Sequence, residues 1–239
     1  TQRNQLAISQ KHEAWSDVAR KIAHEIKNPL TPIKLSIDRL KNKTNKGINI
    51  SESDVIDTID TINRQVDDIK NLVDEFSNFA RMPAPNMKKN NIKDIIDNAV
   101  LLFDLESNKV LIELDQKSLN YSVKCDESQI NRVLNNLIIN SIHSIESKYE
   151  NEPGGRIYIA GSLKDKYLKI KIFDNGKGLT HKEEDLLKPY FSTKEKNIGT
   201  GLGLSIVEKI ISEHGGNFHI YNIEGKDGAC SEFTLKLSD

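Results

Sequence analysis

The chain has 239 residues, room for one large or two modest domains, and its 34 basic and 35 acidic side chains leave a formal charge of −1, which argues against a charge-driven nucleic-acid binder. Hydrophobic residues make up 37% and charged residues 29%, which is polar for one compact globule, so we expect part of the chain to be elongated. Two cysteines exclude a disulfide scaffold or a four-cysteine zinc site and favour a reducing compartment.

Apolar residues recur in steps of three and four in two successive segments, as they do along one stripe of a helix. The first stripe is Trp15, Val18, Ile22, Ile26, Leu30, Ile33, Ile37 and Leu40, and the second is Val55, Ile59, Ile62, Val66, Ile69, Val73 and Phe76. The polar stretch 42–53 between them predicts a turn, so residues 15–80 form a helical hairpin, with a signalling helix extension over 1–14. An isolated hairpin would leave one side of both stripes in water, so we predict a homodimer through 15–80, a four-helix bundle.

Two prolines in Arg81–Asn86 end the second helix, so we predict a linker over 81–90 and a second domain over 91–239. Periodicity in that domain predicts helices over 92–105, 127–147 and 202–213, and strands over 110–114, 121–124, 156–161, 167–173, 217–222 and 231–237. The fold class is therefore α+β: the helical hairpin, then an α/β sandwich with one mixed sheet and helices on one face.

The first helix contains a local conflict, because Pro29 and Pro32 lie inside a strongly periodic segment. Such a break marks either a structural kink or a functional site. At 100° per residue His24 lies about 200° from Ile22 and from Ile26, so its ring is expected to face solvent when the stripe packs inward. The ring is then a plain surface residue or a nucleophile kept basic by Glu25, since the spacing for a zinc ligand pair is missing.

Three features of the second domain are compatible with a nucleotide site. Asp174, Gly176 and Gly178 follow a predicted strand, where a carboxylate is held rigidly while glycines let the backbone turn. A glycine-rich run from Gly199 to Leu204 opens a helix, whose free N–H groups suit phosphate. Asn136 and Asn140 lie on one helix face, where amide oxygens suit a hard cation. Singly, these features are a common turn, a helix start and an amide-rich face; their order within one domain favours a nucleotide.

These motifs together resemble those of two-component sensor histidine kinases, over about residues 13–237. The matching boxes are His24-Glu25 to Pro29, Asn136 to Asn140, Asp174 to Gly178, Pro189 to Lys194 and Gly199 to Leu204, with a weaker echo at Gly228. The runs Ala14 to His24 and Phe79 to Pro85 further resemble the nitrogen-regulatory branch of that family. The resemblance implies a dimerisation and phosphotransfer hairpin followed by an ATP-binding domain of the Bergerat type, as in histidine kinases and Hsp90.

The resemblance also implies roles for individual residues. In the hairpin, His24 would accept the phosphoryl group, Glu25 would polarise it, and Asn28 would orient water for dephosphorylating the partner. In the ATP domain, Asp174 would bind the adenine amino group and Asn140 would bind Mg²⁺, the implied metal. The remaining cofactor-binding positions, around the phosphates and in the lid over 179–198, would be Asn136, His143, Gly176, Gly178, Phe191, Thr193, Lys194, Gly199, Thr200, Gly201, Leu202, Gly203 and Leu204. Many relatives have Lys or Arg where this chain has His143, and neutral imidazole supplies little charge.

The expected reaction is ATP-dependent phosphorylation of His24, transfer to an aspartate of a response-regulator receiver domain, expected to be NtrX-like, and phosphatase activity toward that partner. A chaperone, topoisomerase or mismatch-repair ATPase has no such histidine helix, and a degenerate kinase acting as a scaffold is the non-enzymatic alternative. No apolar run approaches the ~20 residues that span a bilayer. Because the first residue is Thr1, we expect this to be the cytoplasmic portion of an inner-membrane sensor, with any membrane segment upstream.

Overall fold

The computed structural model of the protein describes residues 2–80, 82–104, 110–150, 152–189, 191 and 201–238. For residues 2–19, 21, 24, 71, 75, 78–80 and 104 it describes the backbone alone. The chain divides into two compact units, with the boundary between Met82 and Pro83. Within the described residues, no helix combines the length and the apolar character that crossing a membrane requires.

The first unit is a hairpin of two helices, α1 (Gln2–Asn45) and α2 (Glu52–Ala80). The turn is closed by Asp54: its carboxylate accepts from the Ser51 N–H at 3.2 Å, while the Asp54 N–H donates to the Ser51 hydroxyl at 3.2 Å. This reciprocal pair satisfies N–H groups that the start of a helix leaves free. Lys43 at the end of α1 donates to the same carboxylate at 2.7 Å, and these partners lower the pKa of Asp54 to about 2.

Helix α1 begins at Gln2, in the segment predicted as a helix extension, and it runs without interruption through Pro29 and Pro32. The turn is accordingly shorter than the predicted 42–53, since α1 ends at Asn45 and α2 begins at Glu52. Each interior proline removes one backbone hydrogen bond at a cost of about 3 kcal/mol, which the many remaining bonds of a 44-residue helix and the burial of Pro29 offset.

Much of the predicted apolar stripe is exposed in the single hairpin. The side chains concerned are Leu30, Ile37, Val55, Ile59, Val66 and Val73, whose exposed fractions lie between 39% and 50%. Among the hairpin side chains that the structure describes, the buried ones are instead Pro29, Gln65 and Leu72. One hairpin therefore leaves a long apolar face uncovered, as the sequence led us to expect.

The described residues of the second unit form three longer helices, one helical turn and seven strands. The helices are α3 (Ile92–Asp104), α4 (Glu127–Tyr149), α5 (Glu183–Leu186) and α6 (Gly203–Glu213); the strands are β1 (Lys88–Asn91), β2 (Val110–Leu114), β3 (Ser122–Cys125), β4 (Gly155–Lys164), β5 (Tyr167–Asp174), β6 (Phe218–Asn222) and β7 (Ala229–Lys236). A five-stranded mixed sheet has the order β2-β4-β5-β7-β6, in which only the β2–β4 pair is parallel. The α+β class is confirmed.

The prediction of one sheet is wrong, because β3 does not join the five-stranded sheet and pairs antiparallel with β1 instead. Strand β1 lies at the end of the segment predicted as a linker. The preceding residues are also held by the second unit: Asn86 N–H donates to the Asp126 carboxylate at 2.8 Å, and the Gln129 amide donates to the Pro83 carbonyl at 3.0 Å. A four-residue polar strand has too weak an alternation to be recognised before its partner is known.

The core lies between the five-stranded sheet and the helices. Leu168, Ile170 and Ile172 alternate along β5 and are fully buried, as the period of two in a half-covered strand requires. Helix α4 contacts β4, β5, α3 and α6, and so lies at the centre of the helical layer. Its N-terminus is tied to α6 by His214, which accepts from the Asp126 N–H at 3.0 Å and, through Nδ1, donates to the Ile210 carbonyl at 2.8 Å.

Candidate nucleotide-binding site

Asp174 ends the central strand β5 and points into the layer of helices, where it is 8% exposed. Its Oδ1 accepts from the Gly176 N–H at 2.9 Å and from the Ala229 N–H at 3.4 Å, and its Oδ2 accepts from the Ser141 hydroxyl at 3.4 Å. Burial raises the pKa of Asp174, although these hydrogen bonds and the charge of Lys148 work in the opposite direction. The carboxylate is therefore a fixed acceptor in a largely desolvated position.

At two positions around the Asp174 carboxylate, neighbouring atoms are so close that only glycine fits. A Cβ atom on Gly176 would lie 2.2 Å from the Ser144 hydroxyl, so strand β5 and helix α4 meet too closely for any side chain there. A Cβ atom on Gly228, whose φ is +103°, would lie 1.9 Å from the Asp174 carbonyl oxygen. The weak resemblance at Gly228 thus corresponds to a position that packs directly on Asp174.

The asparagine pair on α4 faces the start of α6. The Asn136 amide donates to the Arg132 carbonyl at 2.8 Å, which leaves its Oδ1 turned toward Gly203. A Cβ atom on Gly203 would lie 2.8 Å from Asn136 Oδ1 and 3.9 Å from Asn140 Nδ2. Both asparagines, which the sequence placed on one helix face, therefore adjoin the glycine-rich helix start.

The N-terminus of α6 is suited to an anion. Gly201 has a φ of +69°, Leu202 is fully buried, and the Ser205 hydroxyl donates to the Leu202 carbonyl at 2.9 Å. The N-cap residue of this helix, Leu202, is apolar and makes no side-chain capping hydrogen bond. The first N–H groups of the helix and the positive end of the helix dipole are directed at the space beside Gly203, and Leu204 follows as a half-buried residue.

Three residues of this site were missed by the sequence reading: Ser141, Ser144 and Lys148. They continue the buried face of α4 in steps of three and four beyond Leu137, so the signal was a set of polar residues on an otherwise apolar stripe. Ser141 donates to Asp174, and Lys148 donates to the Asn175 carbonyl at 2.8 Å. The Ser144 hydroxyl is buried and has no hydrogen-bond partner within the part of the chain that the structure describes.

Of the other predicted site residues, two are half-buried and four lie outside the described residues. His143 is half-buried on α4. The half-buried Phe191 ring meets the His181 ring edge-on, with centroids 5.1 Å apart. Thr193, Lys194, Gly199 and Thr200 lie outside the described residues.

The candidate phosphoacceptor segment lies in the first unit, on α1. The side chain of His24 lies outside the described residues, so its predicted exposure stays a prediction. Asn28 donates to a Glu25 carboxylate oxygen at 3.4 Å, one helical turn apart, and both side chains are half-buried. The two neighbours of His24 that the sequence singled out are thus in contact with each other.

The chemistry of the second unit fits a purine nucleotide carried with a divalent cation. A buried carboxylate is a good acceptor for an exocyclic amino group, and a glycine-rich helix start binds phosphate. The amide oxygens of Asn136 and Asn140 suit a hard cation such as Mg²⁺, which prefers one or two protein ligands together with phosphate oxygens and water.

Two family models match the chain. Residues 14–85 match the His Kinase A (phospho-acceptor) domain, and residues 125–239 match the histidine kinase-, DNA gyrase B-, and HSP90-like ATPase. The first range contains His24, and the second contains the carboxylate, both asparagines and the glycine-rich helix start. The chain therefore belongs to the sensor histidine kinases, because it carries both the phospho-acceptor domain and the ATPase domain of that family.

Within that class, the chain is similar to the nitrogen-regulatory kinases named NtrY. It is 40% identical over 234 residues to the Nitrogen regulation protein NtrY of Azorhizobium caulinodans, covering 97% of this chain and 30% of that protein. It is 36% identical over 242 residues to the Putative sensor histidine kinase NtrY-like of Rickettsia typhi, covering 100% of this chain and 39% of that protein. The chain thus spans less than two fifths of the length of either relative.

Solved structures give the same fold. Histidine kinase ThkA in complex with response regulator protein TrrA matches with a TM-score of 0.73 and 25% identity, over 96% of this chain and 64% of that one. The Acinetobacter baumannii histidine kinase AdeS matches with a TM-score of 0.65 over 90% of this chain and 98% of that one, and its 23% identity supports the fold alone.

Proposed function

We propose that the chain phosphorylates its own His24 with ATP and passes the phosphoryl group to an aspartate of a response-regulator receiver domain. The observation that carries this proposal is the convergence of a buried carboxylate, an asparagine pair and a glycine-rich helix start in one domain of a chain that also has a phosphoacceptor helix. Phosphoryl transfer needs chiefly positioning and charge neutralisation, and these parts supply both.

In the proposed nucleotide site, Asp174 accepts a hydrogen bond from the adenine amino group, held in place by Ser141 and the Gly176 and Ala229 N–H groups. The N–H groups at the start of α6 bind phosphate oxygens, with Asn136 beside them. Asn140 holds Mg²⁺, which neutralises phosphate charge when bound. The other proposed phosphate contacts are His143, Thr193, Lys194, Gly199, Thr200 and Gly201.

On the hairpin, an imidazole nitrogen of His24 attacks the γ-phosphorus: a P–N bond forms while the P–O bond to ADP breaks. Glu25 accepts a hydrogen bond from the other ring nitrogen and so keeps the attacking lone pair available. The Asn28 amide, now bonded to Glu25, supports a second proposed activity, orientation of a water molecule that dephosphorylates the response regulator.

The proposed partners are a second copy of this chain and a receiver domain. The apolar stripe of the hairpin supports a homodimer through residues 15–80, because its members on both helices include six side chains that are 39% to 50% exposed in a single copy. The complex of ThkA with the response regulator TrrA supports the second partner. Similarity to NtrY supports an NtrX-like regulator, and location at the cytoplasmic side of a membrane sensor stays a prediction.

The proposed reaction is tested by incubating the full chain with γ-³²P-labelled ATP and Mg²⁺. We expect label that stays on the protein, resists alkali and is lost in acid, and that moves to a receiver domain added later. His24→Gln should abolish labelling while leaving nucleotide binding intact. Release of phosphate without labelled protein would instead favour an ATPase of another class, and binding without either reaction would favour a scaffold.

A further inference from the structure

The segment that follows Gly178 lies along strand β6, the edge of the five-stranded sheet. Edge strands present unpaired backbone groups, and proteins commonly cover them. Here the cover is made by two side chains, Asn222 from the end of β6 and Glu183 from the start of α5. Each links the segment to the edge by side-chain to backbone hydrogen bonds.

Asn222 uses both halves of its amide on the backbone of one residue. Its Oδ1 accepts from the Leu179 N–H at 2.6 Å, and its Nδ2 donates to the Leu179 carbonyl at 2.9 Å. A neighbouring strand would form the same pair of bonds with its backbone. The Asn222 side chain therefore holds both the N–H and the carbonyl group of Leu179 in place.

Gly178 makes room for this contact. Its φ is +77°, a backbone conformation that favours glycine, and a Cβ atom there would lie 2.8 Å from Asn222 Oδ1. Gly178, the second glycine of the Asp174-x-Gly-x-Gly motif, thus has a structural role, since the absence of a side chain there allows Asn222 to bind Leu179.

Glu183 makes the second link, four residues beyond Leu179. Its Oε1 accepts from the Ile220 N–H at 2.9 Å and from His219 Nδ1 at 3.2 Å. The His219 side chain is 57% exposed, so its contact with the Glu183 carboxylate is expected to contribute little. The bond to the Ile220 backbone is the part that holds the segment.

We propose that Asn222 and Glu183 are positioning residues for nucleotide binding, which hold residues 178–183 as a preformed wall leading away from Asp174. The inference rests on the proposed function. With the wall fixed in the free protein, binding ATP does not have to order these residues, and the entropy cost of binding is lower. Neither side chain is assigned a contact with the nucleotide, so their loss should weaken binding without slowing the chemical step.

The test measures autophosphorylation of the full chain against ATP concentration. For Asn222→Ala and for Glu183→Ala we expect the KM for ATP to rise about tenfold, with kcat within about twofold of wild type. Glu183→Gln keeps an acceptor for the Ile220 N–H and should restore the KM. Glu184→Ala removes an exposed neighbouring carboxylate and is the matched control, with an unchanged KM.

The outcomes separate this inference from the proposed function. Wild-type protein that forms no phosphohistidine would overturn the proposed function. Wild-type labelling with an unchanged KM in both alanine variants would overturn the positioning role alone, as would a fall in kcat at constant KM. Nucleotide-free thermal unfolding identifies a variant that fails to fold, in which case the other alanine variant decides.

Discussion

The Asn136 side-chain oxygen lies 2.8 Å from the position that a Cβ atom on Gly203 would occupy. Helices α4 and α6 are therefore in close contact where the proposed phosphate and metal ligands meet. The close contact is possible because the first residue of α6, Gly203, has no side chain. The two motifs are 67 positions apart in the chain, and this contact makes them one site.

Gly203→Ala should weaken ATP binding. The new Cβ would push Asn136 away from the helix start while its amide is bonded to the Arg132 carbonyl. We expect the KM for ATP to rise about tenfold, with a change in unfolding free energy of about 1 kcal/mol or less, because alanine also favours the helix. Ser212→Ala, on the exposed side of the same helix, is the control; equal KM values for all three proteins would refute the contact's role.

Gly228→Ala should destabilise the second unit strongly. Its Cβ would lie 1.9 Å from the Asp174 carbonyl oxygen, a backbone atom that cannot turn aside, at a φ of +103°. We expect a loss of about 3 kcal/mol or more in urea unfolding. Gly225→Ala is the matched control, since its φ is +68° with nothing within 4 Å, and should cost only about 1 to 2 kcal/mol. Similar losses for both variants would contradict the close contact.

Asp174→Asn should stabilise the fold while it impairs nucleotide binding. Burial raises the pKa of Asp174, so the folded protein loses stability as pH rises from the unfolded pKa to the folded one, and the loss persists at neutral pH. The variant should therefore melt at a higher temperature at pH 7, and the difference should disappear below the unfolded pKa. Loss of the carboxylate should weaken ATP binding about 10- to 100-fold, measured by calorimetry with a non-hydrolysable analogue.

A melting temperature for Asp174→Asn that is lower at pH 7 than that of wild type would contradict the cost of burying this charge. Unchanged nucleotide affinity would remove Asp174 from the adenine contact.

Val66→Asp should dissociate the proposed homodimer. Val66 is 50% exposed on the apolar stripe, and a carboxylate there would be buried near its own copy across the two-fold axis. We expect the dimer dissociation constant to rise about 100-fold or more by analytical ultracentrifugation. Arg64→Asp introduces the same group about 160° away around α2 and should leave the dimer intact. Wild-type protein that sediments as a monomer at tens of micromolar would refute the dimer itself.

Asn28→Ala should reduce phosphatase activity about 100-fold, because a misplaced water molecule loses most of its reactivity. The bond from Asn28 to Glu25 is long, 3.4 Å, so we expect autophosphorylation to fall by less than about threefold. Both rates are measured on one preparation with a phosphorylated receiver domain. Thr31→Ala, one turn further along α1, is the control. If autophosphorylation falls as much as phosphatase activity, the role of Asn28 would be to position Glu25 and not to orient the water molecule.

The local sequence predicted the elements that carry long periodic stripes, because helical and strand periods depend on neighbouring residues. Helices α3, α4 and α6 lie within two residues of their predicted ends. Strand β4 extends to Lys164, three residues beyond its predicted end, since the link to β5 is a two-residue turn in which Asp165 has a left-handed conformation, with a φ of +54°. Local rules did not decide whether α1 continues through Pro29 and Pro32, because that depends on the hydrogen bonds and packing of the whole helix.

The sequence by itself determined the family and predicted the two-part architecture and the residue types of the proposed nucleotide site, since these reside in short motifs whose members are close in the chain. Only the tertiary structure decided which groups complete the site: Ala229 bonds Asp174 from 55 positions away, and Asn222 holds Leu179 from 43 positions away. It also decided that β3 leaves the main sheet for β1. Such partners depend on the packing of helices against the sheet, a property of the assembled chain that no local pattern encodes.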